Sequence, residues 1–157
     1  MTDTAIVWFR RDFRLADNPA LDSARRDFDC IVPVYIHDPE SQSPWSPGAA
    51  SRWWLHHALK DLRDRLAERG ARLIVRQGCA GEELDRLLAE TGAGGVYWNR
   101  LYEPSIVSRD SEIKANLKSK SITARSFRAG MLFEPWELLK DDESPYQVFT
   151  PFWKRMQ

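Results

Sequence analysis

Three arginines follow an apolar run in Val7-Trp8-Phe9-Arg10-Arg11-Asp12-Phe13-Arg14, and a fourth closes Trp98-Asn99-Arg100. Both stretches deliver a guanidinium group beside aromatic residues. A guanidinium can grip a carboxylate or phosphate through two parallel N–H bonds, and it can lie flat on a ring. The pattern points to an anionic, planar ligand. The competing reading is that Arg10, Arg11 and Arg14 only brace loops through Asp12, Asp17 or Glu103, and the residues weigh both evenly. Other chemistries lack their carriers. No G-x-G-x-x-G follows the first apolar run, and no glycine-rich loop ends in Lys-Ser/Thr, so backbone amides are not set up to cradle a phosphate. His56 and His57 are adjacent on a helical pattern and cannot share a metal as i,i+4 histidines do; one is expected at the core edge and one in solvent. No serine sits in a nucleophile elbow, and no catalytic residue is assigned.

The elements that must position these arginines follow from periodicity. Ala5–Phe9, Cys30–Ile36, Arg72–Arg76, Gly95–Trp98 and Ile122–Phe127 read as five apolar strands. Between them, Asn18-Pro19 opens one helix, and Leu55, Leu59, Leu62 and Leu66 mark a long one with Lys60/Asp64 and Asp61/Arg65 pairs outside, ended by Gly70. Further helices are expected over 81–91 and 106–117. Continuous apolar strands alternating with helices predict an α/β, Rossmann-like, doubly wound parallel sheet in three layers, with strand order 3-2-1-4-5. Ligands in such sheets bind at the carboxyl ends of the strands where the winding reverses, here between strands one and four. Both arginine-bearing stretches leave the sheet there.

Composition adds limits. The 157 residues are 43% apolar, which suits one domain with a real core. No run reaches the roughly 18 apolar residues of a membrane helix, and the N-terminus lacks a secretory pattern, so a cytoplasmic protein is expected. Cys30 and Cys79 lack metal or redox spacing and read as small buried residues. Residues 105–130 carry Arg109, Lys114, Lys118, Lys120, Arg125 and Arg128 against Asp110 and Glu112. That excess reads as a solvated helix face, because no aromatics interleave for base stacking. Tyr146, Phe149, Phe152 and Trp153 cluster near the end and need burial, either on the sheet or, the preferred reading, against a body outside this chain.

Taken together, VWFRRDFRLADNPAL, PVYIHDPE, GAASRWWLHHAL, GVYWNRLYEP and PYQVFTPFWK resemble, in order and across the whole chain, the N-terminal domain of the DNA photolyase and cryptochrome family. The flavour is that of bacterial photolyases acting on cyclobutane pyrimidine dimers. The resemblance implies an α/β antenna domain over 1–135 and the start of an interdomain linker over 136–157, with the helical FAD-binding domain absent. It implies that the full-length protein is a deoxyribodipyrimidine photolyase, a carbon–carbon lyase that repairs UV-induced dimers in DNA by way of a flipped-out nucleotide and reduced FAD. The catalytic centre then lies outside this segment. A cryptochrome photoreceptor is the alternative. A stand-alone nucleotide-binding module of the universal-stress type is more remote, because Asn99-Arg100-Leu101-Tyr102-Glu103-Pro104 holds no glycine loop.

Carried over residue by residue, the resemblance gives an antenna pocket of Arg11, Tyr35, Asp38, Trp45, Arg52, Asn99, Arg100, Tyr102 and Glu103. Trp45 or Tyr35 would stack on the chromophore, Asp38 or Glu103 would accept ring N–H groups, and the arginines would take anionic tails. Arg11 is assigned to the pocket and Arg14 to the scaffold. The antenna is expected to be methenyltetrahydrofolate or 8-hydroxy-deazaflavin, with FMN a third choice. Ser105-Ile106 stand where folate-using members show Asn-Glu, and Trp45 replaces the usual folate-loop histidine, so the resemblance leaves the antenna's identity open. The partners implied are the helical FAD domain and, through it, damaged DNA.

Overall fold

The computed structural model describes residues 3–38 and 47–157. Strands β1 (Thr4–Phe9), β2 (Cys30–His37), β3 (Ile74–Gln77), β4 (Gly95–Asn99) and β5 (Thr123–Phe127) form one parallel sheet in the order β3-β2-β1-β4-β5. Helices α1 (Pro19–Asp27), α2 (Ala49–Ala67), α3 (Ala80–Thr91) and α4 (Pro104–Ser119) make the crossovers, and α5 (Phe149–Met156) follows. The expected order and layering are observed. Along β1 the side chains alternate between two cores. Ile6 and Trp8 face Leu84 and Leu87 of α3 and Ile113 and Leu117 of α4. Ala5, Val7 and Phe9 face Leu21 and Ala24 of α1 and Leu62 and Leu66 of α2. Burial on both faces is why the central strands are apolar without alternation.

Local chemistry sets the boundaries. Asn18 caps α1 by accepting the Leu21 N–H at 3.2 Å, with Pro19 in the first position. Gly70, at φ +73°, turns the chain out of α2. Gly95 opens β4 because an added Cβ would sit 2.7 Å from Phe28 Cζ and 2.9 Å from Tyr97. Strands three and five start later than their apolar runs suggest. The Ala71 N–H still bonds Leu66 O at 3.0 Å, and the Ile122 N–H bonds Leu117 O at 3.0 Å, so the chain leaves each helix before it joins the sheet.

Several expectations are corrected. Cys30 and Cys79 are both exposed, since each lies at the end of an element rather than within it. His56 and His57 are both exposed as well, because α2 packs Leu55, Leu59, Leu62 and Leu66 against the core and leaves the two histidines outside it. Asp61 pairs with Arg65 at 2.6 Å as expected, but Asp64 takes Arg63 at 2.7 Å. Helix α5 was not anticipated, because Pro151 reads as a breaker. It lies in the first turn, where its missing N–H has no intrahelical acceptor to lose. The rings of α5 pair among themselves, Phe149 with Trp153 and Phe152 with Tyr146, and none of its residues is buried. Among the described residues no helix is long and apolar enough to cross a membrane.

Candidate functional site

Where β1 ends, Arg10 turns inward and is only 7% exposed. Its Nη1 donates to Asp110 Oδ2 of α4 at 2.6 Å, and its Nη2 donates to the Asn99 carbonyl. Asp110 also accepts from the Trp98 indole at 3.2 Å and from Arg109 Nη2 at 2.9 Å. Arg109 reaches on to Asp38 at 3.5 Å, which in turn accepts the Ala80 N–H at the head of α3 at 3.1 Å. Two guanidinium groups therefore flank one indole, with Arg10 and Arg109 centred 5.0 and 5.1 Å from the Trp8 ring. Burial pulls the Arg10 pKa down, and the carboxylate of Asp110 opposes it.

Beside this network lies a small open cleft of about 40 Å³, lined by Trp8, Arg10, Arg11, Tyr35, Ile36, Asp38, Leu101, Ile106 and Arg109. It occupies the carboxyl edge of β1 and β2 under the start of α4. Arg11 and Glu103 form an ion pair with both side chains about half exposed. The Tyr35 hydroxyl is held neutral to higher pH by burial, against the pull of Arg11. Two buried donors next to the cleft, Trp8 Nε1 and Arg10 Nε, have no acceptor among the described residues. Buried donors without partners are uncommon and mark a place where something else can accept. The lining is thus rich in N–H and O–H groups around aromatic surface, and it suits a flat heteroaromatic group carrying carbonyl or anionic oxygens.

The residues named from the sequence divide among several places. Arg11, Tyr35 and Asp38 line the cleft, with Glu103 joined to it through Arg11. Asn99 is buried elsewhere and knots the loop after β1: its Nδ2 donates to Asn18 Oδ1 at 2.8 Å and to Asp12, and its Oδ1 accepts the Ala20 N–H at 3.2 Å. Arg100 and Tyr102 face a separate pocket on the other side of α4, both joined to buried Glu134. Arg52 is exposed and donates to Pro47 O at 2.8 Å. Arg14 braces the scaffold, donating to Asp17 O at 2.8 Å and Ala129 O at 2.9 Å. Trp45 lies outside the described residues.

Trp8, Arg109 and Asp110 escaped the sequence reading. A signal was present: Ile106, Asp110, Ile113 and Leu117 are the buried residues of α4, so a carboxylate occupies an apolar helical stripe. The cations of 105–130 are largely matched. Arg125 meets Asp27 at 2.6 Å, Lys120 meets Asp85 at 2.7 Å and Arg128 meets Glu137 at 2.8 Å, but these cations do not share one solvated helix face: Arg125 is on β5, and Arg109 and Lys114 are partly buried against the sheet.

The family model described as DNA photolyase matches residues 5–157. The chain belongs to the DNA photolyase family. Within that family it is 42% identical to a deoxyribodipyrimidine photo-lyase of Agrobacterium fabrum over 99% of this chain, and 38% identical to Cryptochrome-1 of Arabidopsis thaliana over 96% of it. The crystal structure of a bacterial class III photolyase from Agrobacterium tumefaciens superposes with a TM-score of 0.89 at 41% identity, covering 98% of this chain. An archaeal photolyase from Sulfolobus tokodaii, described with two FAD molecules and a novel light-harvesting cofactor, gives 0.77 at 28% identity over 96% of this chain. The chain spans only part of these relatives: 32% of the Agrobacterium fabrum photo-lyase, 22% of Cryptochrome-1, and 31% and 34% of the two crystallised proteins.

Proposed function

We propose that this chain is the antenna-holding α/β domain of a deoxyribodipyrimidine photolyase that acts on UV-induced dimers, with 1–135 as the chromophore domain and 136–157 leading toward a helical FAD domain. The observation that carries this is the 42% identity to a photo-lyase across 99% of the chain. The donor-rich cleft at the carboxyl edge of β1 and β2 supports the antenna role. Arg11 and Arg109 would take anionic oxygens, Tyr35 would pack on a flat ring, and Asp38 would accept a ring N–H. An antenna bound there supplies one thing, absorption of near-ultraviolet or blue light and transfer of that energy to a flavin. The network beneath does the positioning. Asp110 fixes Arg10 and Arg109, and those two guanidinium groups fix the Trp8 wall.

The chromophore proposed is methenyltetrahydrofolate or 8-hydroxy-deazaflavin, with FMN third. Titration of the purified chain with each, followed by absorbance and fluorescence, tests the reading. Saturable binding that Arg11→Ala weakens supports it, and no binding to any of the three sinks it. A photosensory role is the second reading, favoured by the 38% identity to Cryptochrome-1. Dimer-repair activity of this domain joined to a helical flavin domain separates the two.

A further inference from the structure

On the far side of α4 from the cleft lies a second, larger pocket of about 190 Å³, between α4, β5 and the segment carrying Glu134 and Trp136. Its cations are unequally provided for. Arg100 meets the buried carboxylate of Glu134 and donates to Ser126 O at 2.7 Å. Lys114 has no carboxylate within ion-pair distance among the described residues; it donates to Ser126 Oγ at 2.7 Å and lies 5.6 Å from the Trp98 ring centre. Asp110 also borders the pocket, but its oxygens are committed to Arg10, Arg109 and Trp98.

The remaining valences converge. An ammonium has three N–H groups, and Lys114 has placed one. Ser126 Oγ accepts from both Lys114 and Arg100 Nε, the latter at 3.0 Å, so its own O–H proton has to point elsewhere. Two protons on Lys114 and one on Ser126 are thus left without an acceptor among the described residues. At the rim, the Trp136 ring is 59% exposed and lies against Arg100, 5.9 Å from the guanidinium carbon. An exposed indole so placed offers a stacking surface on the wall of the same pocket as the Lys114 ammonium. Burial and the neighbouring arginines already depress the Lys114 pKa, a strain that a bound anion relieves.

We propose that this pocket is a binding site for an aromatic phosphate of mononucleotide size, with the phosphate on Lys114 and Ser126 and the ring against Trp136. A phosphate fits the donors better than a carboxylate because it presents three oxygens to three protons. The site is separate from the cleft given to the antenna, so it stands or falls independently of that reading.

The probe is AMP, titrated into the whole chain by calorimetry and by tryptophan fluorescence, with adenosine and inorganic phosphate as partial ligands. Saturable AMP binding, at least about tenfold weaker in Lys114→Met and again in Trp136→Ala, is the expected result. Adenosine should lose what Lys114 supplies, and inorganic phosphate what Trp136 supplies. Absence of saturable AMP binding overturns the proposal. So does AMP binding that both variants leave intact but Arg11→Ala removes, which places the nucleotide in the other cleft. Trp136 is at the surface, so its variant tests the site even if Lys114→Met folds poorly.

Discussion

The two sides of α4 solve the same electrostatic problem differently. Toward β1 and β2, the buried cations are matched: Arg10 with Asp110, Arg109 with Asp110 and Asp38, and at the rim Arg11 with Glu103. Toward β5, Arg100 has Glu134, but Lys114 has no ion pair among the described residues and meets a hydroxyl and an indole. The difference teaches what each side can tolerate. A closed network fixes geometry and is fragile to the loss of any member, whereas a solitary ammonium contributes little to stability and leaves chemistry to spare.

The sharpest way to break that contrast is Asp110→Ala. It strands the Arg10 guanidinium in a buried position, and it should destabilise the chain by about 3–5 kcal/mol in chemical denaturation. A loss under about 1 kcal/mol would mean the network is not closed. Glu134→Gln comes next. It removes the charge facing Arg100 and weakens the acceptor of the Tyr102 hydroxyl, 2.7 Å away, for an expected cost of about 1–2 kcal/mol by the same measurement. Lys114→Met should then change stability by less than about 1 kcal/mol in either direction, because the stem still packs on Trp98 and no carboxylate is abandoned. A cost comparable to that of Asp110→Ala would erase the distinction between the two sides.

The smallest effect belongs to the outer end of α4. Lys120 and Asn116 hold Asp85, and the hydrogen bond from Lys120 leads the causes that lower its pKa. A carboxyl whose folded pKa is depressed stabilises above its ordinary value and loses that contribution as pH falls through the lowered one. Asp85→Asn should therefore make stability fall less steeply on the acid side, while costing under about 1 kcal/mol at neutral pH, as an exposed pair does. Thermal melts from pH 7 down to about 2 read both. Equal acid sensitivity in the variant would remove Asp85 from the account.

The sheet was legible because its determinants are local. Ala5–Phe9 and Gly95–Trp98 announce buried strands by composition, and Asn18-Pro19 announces a helix start by capping chemistry. The winding rule then fixed where Arg10, Arg11 and Arg100 would emerge. What stayed hidden depends on partners distant in the chain. Nothing near Asp110 says that Arg10, a hundred residues earlier, will claim it, and its neighbours Arg109 and Glu112 make it look like surface charge. Asn99 looked like a ligand residue because it leaves a strand at the right place, yet its amide is spent on Asn18, Asp12 and Ala20. Sequence pointed to the carboxyl edge of the sheet, between strands one and four; packing puts the cleft at β1 and β2 instead and turns Arg100 into a separate pocket.

The strand order also bears on how the chain is made. β1 is synthesised first but lies in the middle, and its second neighbour, β4, begins only at Gly95. At a ribosomal rate of about 5–20 residues per second, one edge of β1 waits roughly 5–20 s for its partner. Through that interval Ile6 and Trp8 have neither β4 beside them nor α4 above them, so a nascent chain paused before Gly95 exposes an unpaired apolar strand, the state most open to aggregation and most in need of a chaperone.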